Sequence, residues 1–280
     1  MWILFVALYI IFSITYNQFY KVTTKKCKSE GALTALLQII AGLTALITLP
    51  FFKFNFPTTL SVWLLLLLAC IFYALSDRMN TTVRSGLEAS TFGIILQVST
   101  VFMTLAGLFF FKEPFVLKKM IGAIMIILSN VLVFYQKGKG KINKYVIMGI
   151  FSNLAYAFAL FLDVNISDSF NLAIYVAITL IVPAVFIIIG ERIKFKDIIN
   201  EYKIGDKAPI FITSIGWGLM IIFQLMAFKL GDVTTISPLL SLTVIGNVII
   251  GYLFLNEKDN LPKKIIAAIM IIISILLIKG

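Results

Sequence analysis

The sequence predicts an all-α, polytopic membrane protein of ten transmembrane helices arranged as two inverted five-helix repeats. Three observations carry the prediction: the composition, the spacing of the apolar blocks, and a repeated segment. The 280 residues are 60% hydrophobic and 13% charged with a mean hydropathy of +1.03, far from the roughly half apolar and quarter charged make-up of soluble domains. Intrinsic disorder needs the opposite balance. Two cysteines, Cys27 and Cys70, exclude a disulfide scaffold and have no metal-ligand spacing.

Ten apolar blocks come near the roughly twenty residues that a helix needs to cross about 30 Å of hydrocarbon. The first, 2–20, lacks a basic region before it and a small-residue cleavage site before the lysines at 21–28, so it reads as an uncleaved first helix and not a secretory signal. The next four are 33–52, 60–75, 89–111 and 120–135. A basic connection follows, and then come 145–162, 171–189, 210–228, 233–255 and 265–278. Strands of alternating polarity are lacking, and lipid forbids unpaired backbone groups, so each block is expected to be helical. Ten spans leave about eighty residues for connections and ends, too few for a soluble domain.

The net charge of +11 would suggest nucleic acid in a soluble protein. Here the lysines fall in short connections beside lipid head groups, so the lipid bilayer is the expected partner and nucleic acid is not. Alternate connections carry eighteen Lys and Arg against six on the opposite side, which by the positive-inside rule puts both termini outside.

Internal repetition divides the helices into fives. Residues 118–129, KKMIGAIMIILS, align with 263–274, KKIIAAIMIIIS. With a one-residue shift, 107–113, GLFFFKE, align with 251–257, GYLFLNE. The units are 1–136 and 145–280, joined by a basic linker at 137–144. An odd-numbered repeat enters the bilayer from opposite sides in its two copies, giving an inverted pair of the kind found in many secondary transporters.

These residues resemble the drug/metabolite transporter superfamily in its ten-helix EamA-type branch. The resemblance rests on 231–241, GDVTTISPLLS, running on to Glu257, and on the counterpart from Glu88 to Glu113, followed by a helix opening with Gly122 and Ala123. Ile94 stands where the second copy has Pro238, a departure from a symmetric proline hinge. The resemblance implies two EamA-like repeats and export or exchange of a small-molecule substrate such as an amino acid, sugar, nucleotide sugar or drug. It further implies a cavity built mainly by helices 1, 3, 4, 6, 8 and 9, in a protein integral to a prokaryotic cell membrane. Relatives of this type are drawn with cytoplasmic termini, against the charge count. The superfamily also contains lipid-linked sugar flippases, and a non-transporting assembly subunit is a further alternative.

Polar side chains are costly at bilayer depth and face a bundle interior or a wet cavity. The cavity candidates are Tyr16, Asn17, Gln97, Thr100, Asn153, Tyr156, Trp217, Gln224, Ser241 and Asn247. The alternative for each is interhelical packing and hydrogen bonding. Gly216 and Gly218 beside Trp217 permit close approach or bending.

Glu113 and Glu257 recur at helix ends beside lysines, where capping of the next helix is expected instead of catalysis. Pro238 is expected to frame a helix end at the cavity. The first block has no acidic residue, so the proton-exchange mechanism of the related four-helix multidrug exporters, which uses a carboxylate there, does not carry over. Asp163 is the remaining candidate for proton or cation coupling, with a solvated helix end as its alternative.

The chain has no histidine, no HExxH and no GxxxxGK[ST], so no enzyme activity, metal or cofactor is expected. Small residues on the fifth and tenth helices allow packing within one chain or between two, so a homodimer is one arrangement open to it.

Overall fold

The computed structural model describes residues 2–114, 116–134, 143–257 and 261–279. All regular structure among them is helical. In chain order the helices are α1 (Trp2–Thr24), α2 (Glu30–Ile47), α3 (Leu60–Gly86), α4 (Ala89–Ile95), α5 (Gln97–Phe109), α6 (Leu117–Phe134) and α7 (Lys144–Ile166). They continue as α8 (Leu172–Gly190), α9 (Phe195–Ile204), α10 (Lys207–Leu230), α11 (Val233–Leu240), α12 (Thr243–Leu255) and α13 (Leu261–Lys279). Among the described residues, eight segments are long and apolar enough to cross a membrane, counting Ala89–Phe109 and Val233–Leu255 as one each. α6 and α13 lie at the fifth and tenth predicted blocks. Of the predicted basic linker, 137–142 lies outside the described residues. Asn143 closes it by accepting a hydrogen bond from the Tyr145 amide at the start of α7.

Bare apolar side chains face outward along these helices, among them Leu64, Leu67, Leu68, Ile71 and Leu75 of α3. Alanines and polar groups face inward. α1 packs on α10, α3 on α7, and α2 on α8. Gly218 lets α10 approach α2 closely, since a Cβ there would lie 2.6 Å from the Ala41 carbonyl oxygen. Its role is therefore close approach, and α10 runs on unbroken. α6 and α13 pack within the chain, where the Ser274 hydroxyl donates to the Gly122 carbonyl at 2.8 Å.

Three features differ from the sequence expectation. α3 runs eleven residues past the apolar block, to Gly86. Its extension survives because each polar side chain has a protein partner: Arg78 and Thr82 hold Glu30, Arg78 also holds Glu191, and Ser152 donates to Asn80 at 2.7 Å. Second, the fourth and ninth blocks are each two helices, broken at Leu96 and at Ser241–Leu242. Third, the connection after α8 contains α9, whose buried Glu201 accepts from the Lys28 and Ser29 amides opening α2.

Candidate functional site

The two helix breaks face each other across the bundle centre. At the first, Gln97 Nε2 donates back to the Gly93 carbonyl at 3.1 Å, while Thr100 donates to Gln97 Oε1 at 3.3 Å. At the second, Ser241 Oγ donates to Thr100 Oγ1 at 3.2 Å, tying α11 to α5. The first break follows Ile94 and the second follows Pro238, so a proline is not needed to produce a break. Pro238 itself lies inside α11, and its carbonyl accepts the Ser241 amide at 3.0 Å.

Between the breaks and the long helices lies a central cavity. α1 contributes Tyr9, Ser13, Tyr16 and Asn17; α3 contributes Asp77, Asn80 and Arg84. Leu96, Gln97, Ser99 and Thr100 line it from the first break, and Ser237, Leu240 and Thr243 from the second. Tyr156 of α7 and Trp217 and Gln224 of α10 complete the polar wall. Water centres have about 60 Å³ available in it, several times the ~10–15 Å³ needed by one buried water.

Local interactions hold these side chains in place. Tyr156 donates to Gln224 Oε1 at 2.8 Å, and Trp217 packs on Tyr16 and Tyr20 with ring centroids 5.2 and 5.8 Å away. Arg84 is 2% exposed and donates to Asn17 Oδ1 at 2.6 Å. Its guanidinium lies over Phe92 at 4.0 Å and near Tyr20 and Tyr16 at 4.7 and 4.9 Å. Asp77 accepts from Gln38 at 2.8 Å.

Seven of the ten predicted cavity residues therefore line one space: Tyr16, Asn17, Gln97, Thr100, Tyr156, Trp217 and Gln224. Ser241 stands just behind the wall on Thr100. Asn153 turns back to the Gly149 carbonyl at 2.8 Å, and Asn247 packs on Gly93 and accepts from Gln18 at 3.2 Å. These three are absent from the lining.

Asp163 is buried without reaching the cavity, and it is not a solvated helix end. Tyr73 and Tyr175 donate to its two oxygens at 2.5 and 2.7 Å. Asp77, which the sequence places only as an acid near a bilayer edge, and Asn80 and Arg84, which it does not single out, lie on the part of α3 beyond the apolar block. Their i, i+3, i+7 spacing puts them on one helical face, the signal that would have found them.

Glu113 and Glu257 are caps, but of a different helix from the expected one. Glu113 accepts from the Val233 and Thr234 amides at 2.9 and 3.0 Å, at the start of α11. Glu257 accepts from the Ala89 and Ser90 amides at 2.6 and 2.9 Å and from the Ser90 hydroxyl at 2.5 Å, at the start of α4. Each half thus caps the broken helix of the other. Nearby, the buried Lys264 pairs with Glu88.

Fold and site together define an all-helical bundle with apolar outer faces and a central cavity on which polar side chains converge. Residues 1–135 match the family model described as EamA-like transporter family, a family of membrane transporters. No curated protein matches the chain. A solved structure described only as "Crystal structure of protein" aligns over 98% of this chain and 94% of its own, with a TM-score of 0.64 and 13% identity, a likeness of fold. The apolar helices and the family match make this an integral, multi-pass membrane protein.

Proposed function

We propose that the chain is a secondary transporter of ten spanning helices in two inverted five-helix repeats, 1–136 and 145–280. It moves a small polar metabolite by alternating access, the halves rocking about the central cavity. The observation that carries this reading is the convergence of polar side chains from both halves on one space flanked by two broken helices. Broken helices free backbone groups at bilayer depth, which is tolerated where they border a cavity. The exchanged caps support the repeat, since Glu113 and Glu257 hold equivalent places and act on equivalent helices.

The test is flux through purified protein in sealed liposomes, with pooled amino acids, sugars and nucleotide sugars, with and without a pH gradient. A Gln97→Ala, Gln224→Ala double variant that folds normally should lose most flux of the transported pool. No flux of any pool through well-folded wild-type protein would overturn the reading and leave the cavity as a structural polar network.

A further inference from the structure

We propose that Arg84 is the cavity's receptor for an anionic group, so that the transported molecule carries one carboxylate. This rests on the transport reading. Arg84 lines the cavity, yet among the described residues no carboxylate lies within 4 Å of its guanidinium. A guanidinium has five N–H donors in a planar fork suited to a two-oxygen acceptor. Its neighbours are neutral: the Asn17 side-chain oxygen accepts at 2.6 Å and the Asn17 carbonyl at 3.5 Å, the Tyr16 hydroxyl also bonds the guanidinium, and the buried Nε has no acceptor.

The rings of Tyr16, Tyr20 and Phe92 shield the cation and fix its position. They supply no counter-ion. Asp77 acts on Arg84 across the cavity but makes no ion pair with it, and an incompletely paired buried charge is costly in a low-dielectric interior, a cost that a visiting anion lowers. The charge also has a defined polarity. Asp77 lies two turns before Arg84 on the same face, about 10 Å along the axis, and lines the same space. Asp77 offers no positive partner to a second anionic group, and among the described lining residues Arg84 is the cationic one, so a single carboxylate fits where a polyanion does not.

The test is thermal unfolding of the purified wild-type protein with four probe pools: L-amino acids, short monocarboxylates, and the matched carboxamides of each. At least one acid pool should raise the midpoint by several degrees, its carboxamide pool should not, and Arg84→Gln should abolish the shift while Arg84→Lys weakens it. A response to the amino-acid pool or to the monocarboxylate pool identifies which molecule presents the carboxylate, and either supports the proposal. Equal stabilisation by acids and carboxamides overturns it, as does no stabilisation by either acid pool. Should Arg84→Gln fail to fold, the acid-against-amide comparison on wild-type protein decides alone. Liposome flux of the carboxamides as fast as that of the acids would remove the Arg84 assignment and keep the transporter. Absence of all flux would remove the transporter even where binding persists.

Discussion

Lys112 and Asn256 occupy the same place in the two halves, and both have left-handed backbone, with φ of 54° and 56°. The residue after each bonds back to a carbonyl six residues earlier in the helix before it, Glu113 to Gly107 and Glu257 to Gly251. A helix end of this kind, with a left-handed residue after the last turn, favours glycine or asparagine at that position. Asn256 satisfies that preference and Lys112 does not. Lys112→Gly should therefore stabilise the protein by about 0.5–1 kcal/mol, read as a higher unfolding midpoint in detergent. Gly107 and Gly251 have their own constraint: a Cβ would fall 2.6 Å from the Thr234 methyl in one and 2.7 Å from Glu257 Oε2 in the other. Both glycines make room for the capped helix starts.

At the scale of the element, α4 and α11 are one- to two-turn segments of 7 and 8 residues, too short to be stable without outside support. Their first amides point at a carboxylate brought from the other half, and that carboxylate is what lets a short helix begin at this depth. Glu257→Ala would leave the Ala89 and Ser90 amides and the Ser90 hydroxyl without their acceptor, at a cost of about 1–3 kcal/mol. Hydrogen exchange should show faster opening of α4 than of α10; equal protection would mean that water replaces the cap. Much of this was legible in the sequence and some was not. The GLFFFKE and GYLFLNE repeat gave away the equivalence of the two glutamates and their placement at helix ends. Which helix each caps depends on how the halves pack, and local sequence does not encode that. The breaks were hidden because Leu96 and Leu242 leave the apolar blocks uninterrupted. Asp77, Asn80 and Arg84 were hidden because a hydropathy count ends a span where polar residues begin, although these have partners inside the bundle. Tyr16, Asn17, Gln97, Tyr156 and Gln224 line the cavity with an amide or an aromatic hydroxyl, whereas Asn153 and Asn247 carry the same amide and use it within the helix packing, a difference that residue type alone does not encode.

At the scale of the whole molecule, a set of side chains joins three helices at the end of the bundle that carries Lys21, and in the transport reading it is what holds that end shut. Tyr20 of α1 bonds Thr81 of α3 at 2.7 Å, and Thr81 bonds Thr34 of α2 at 2.5 Å. Lys21 adds a bond from α1 to the Arg84 carbonyl at 2.6 Å. Beyond them Arg78 spans Glu30 and Glu191, linking α3 to α2 and to the end of α8. The opposite end of the lining holds Met103, Leu160, Phe228 and Leu240, apolar side chains that part without unpairing polar groups. If the halves rock as proposed, opening the Lys21 end must break the Tyr20, Thr81 and Thr34 bonds. Tyr20→Phe removes one of them at a cost to the shut state of about 0.5–1.5 kcal/mol, which raises the open population about 2- to 10-fold. In a protein with Cys27 and Cys70 replaced by serine, Ser13→Cys on the cavity wall reports that opening. Its labelling by a membrane-impermeant maleimide should accelerate by a similar factor, and in vesicles of one sidedness alone. That sidedness also identifies the membrane face that carries the Lys21 end, where charge counting and family resemblance disagree. An unchanged rate in a well-folded Tyr20→Phe protein would mean that the ion pairs of Arg78, and not the hydroxyl chain, keep this end shut.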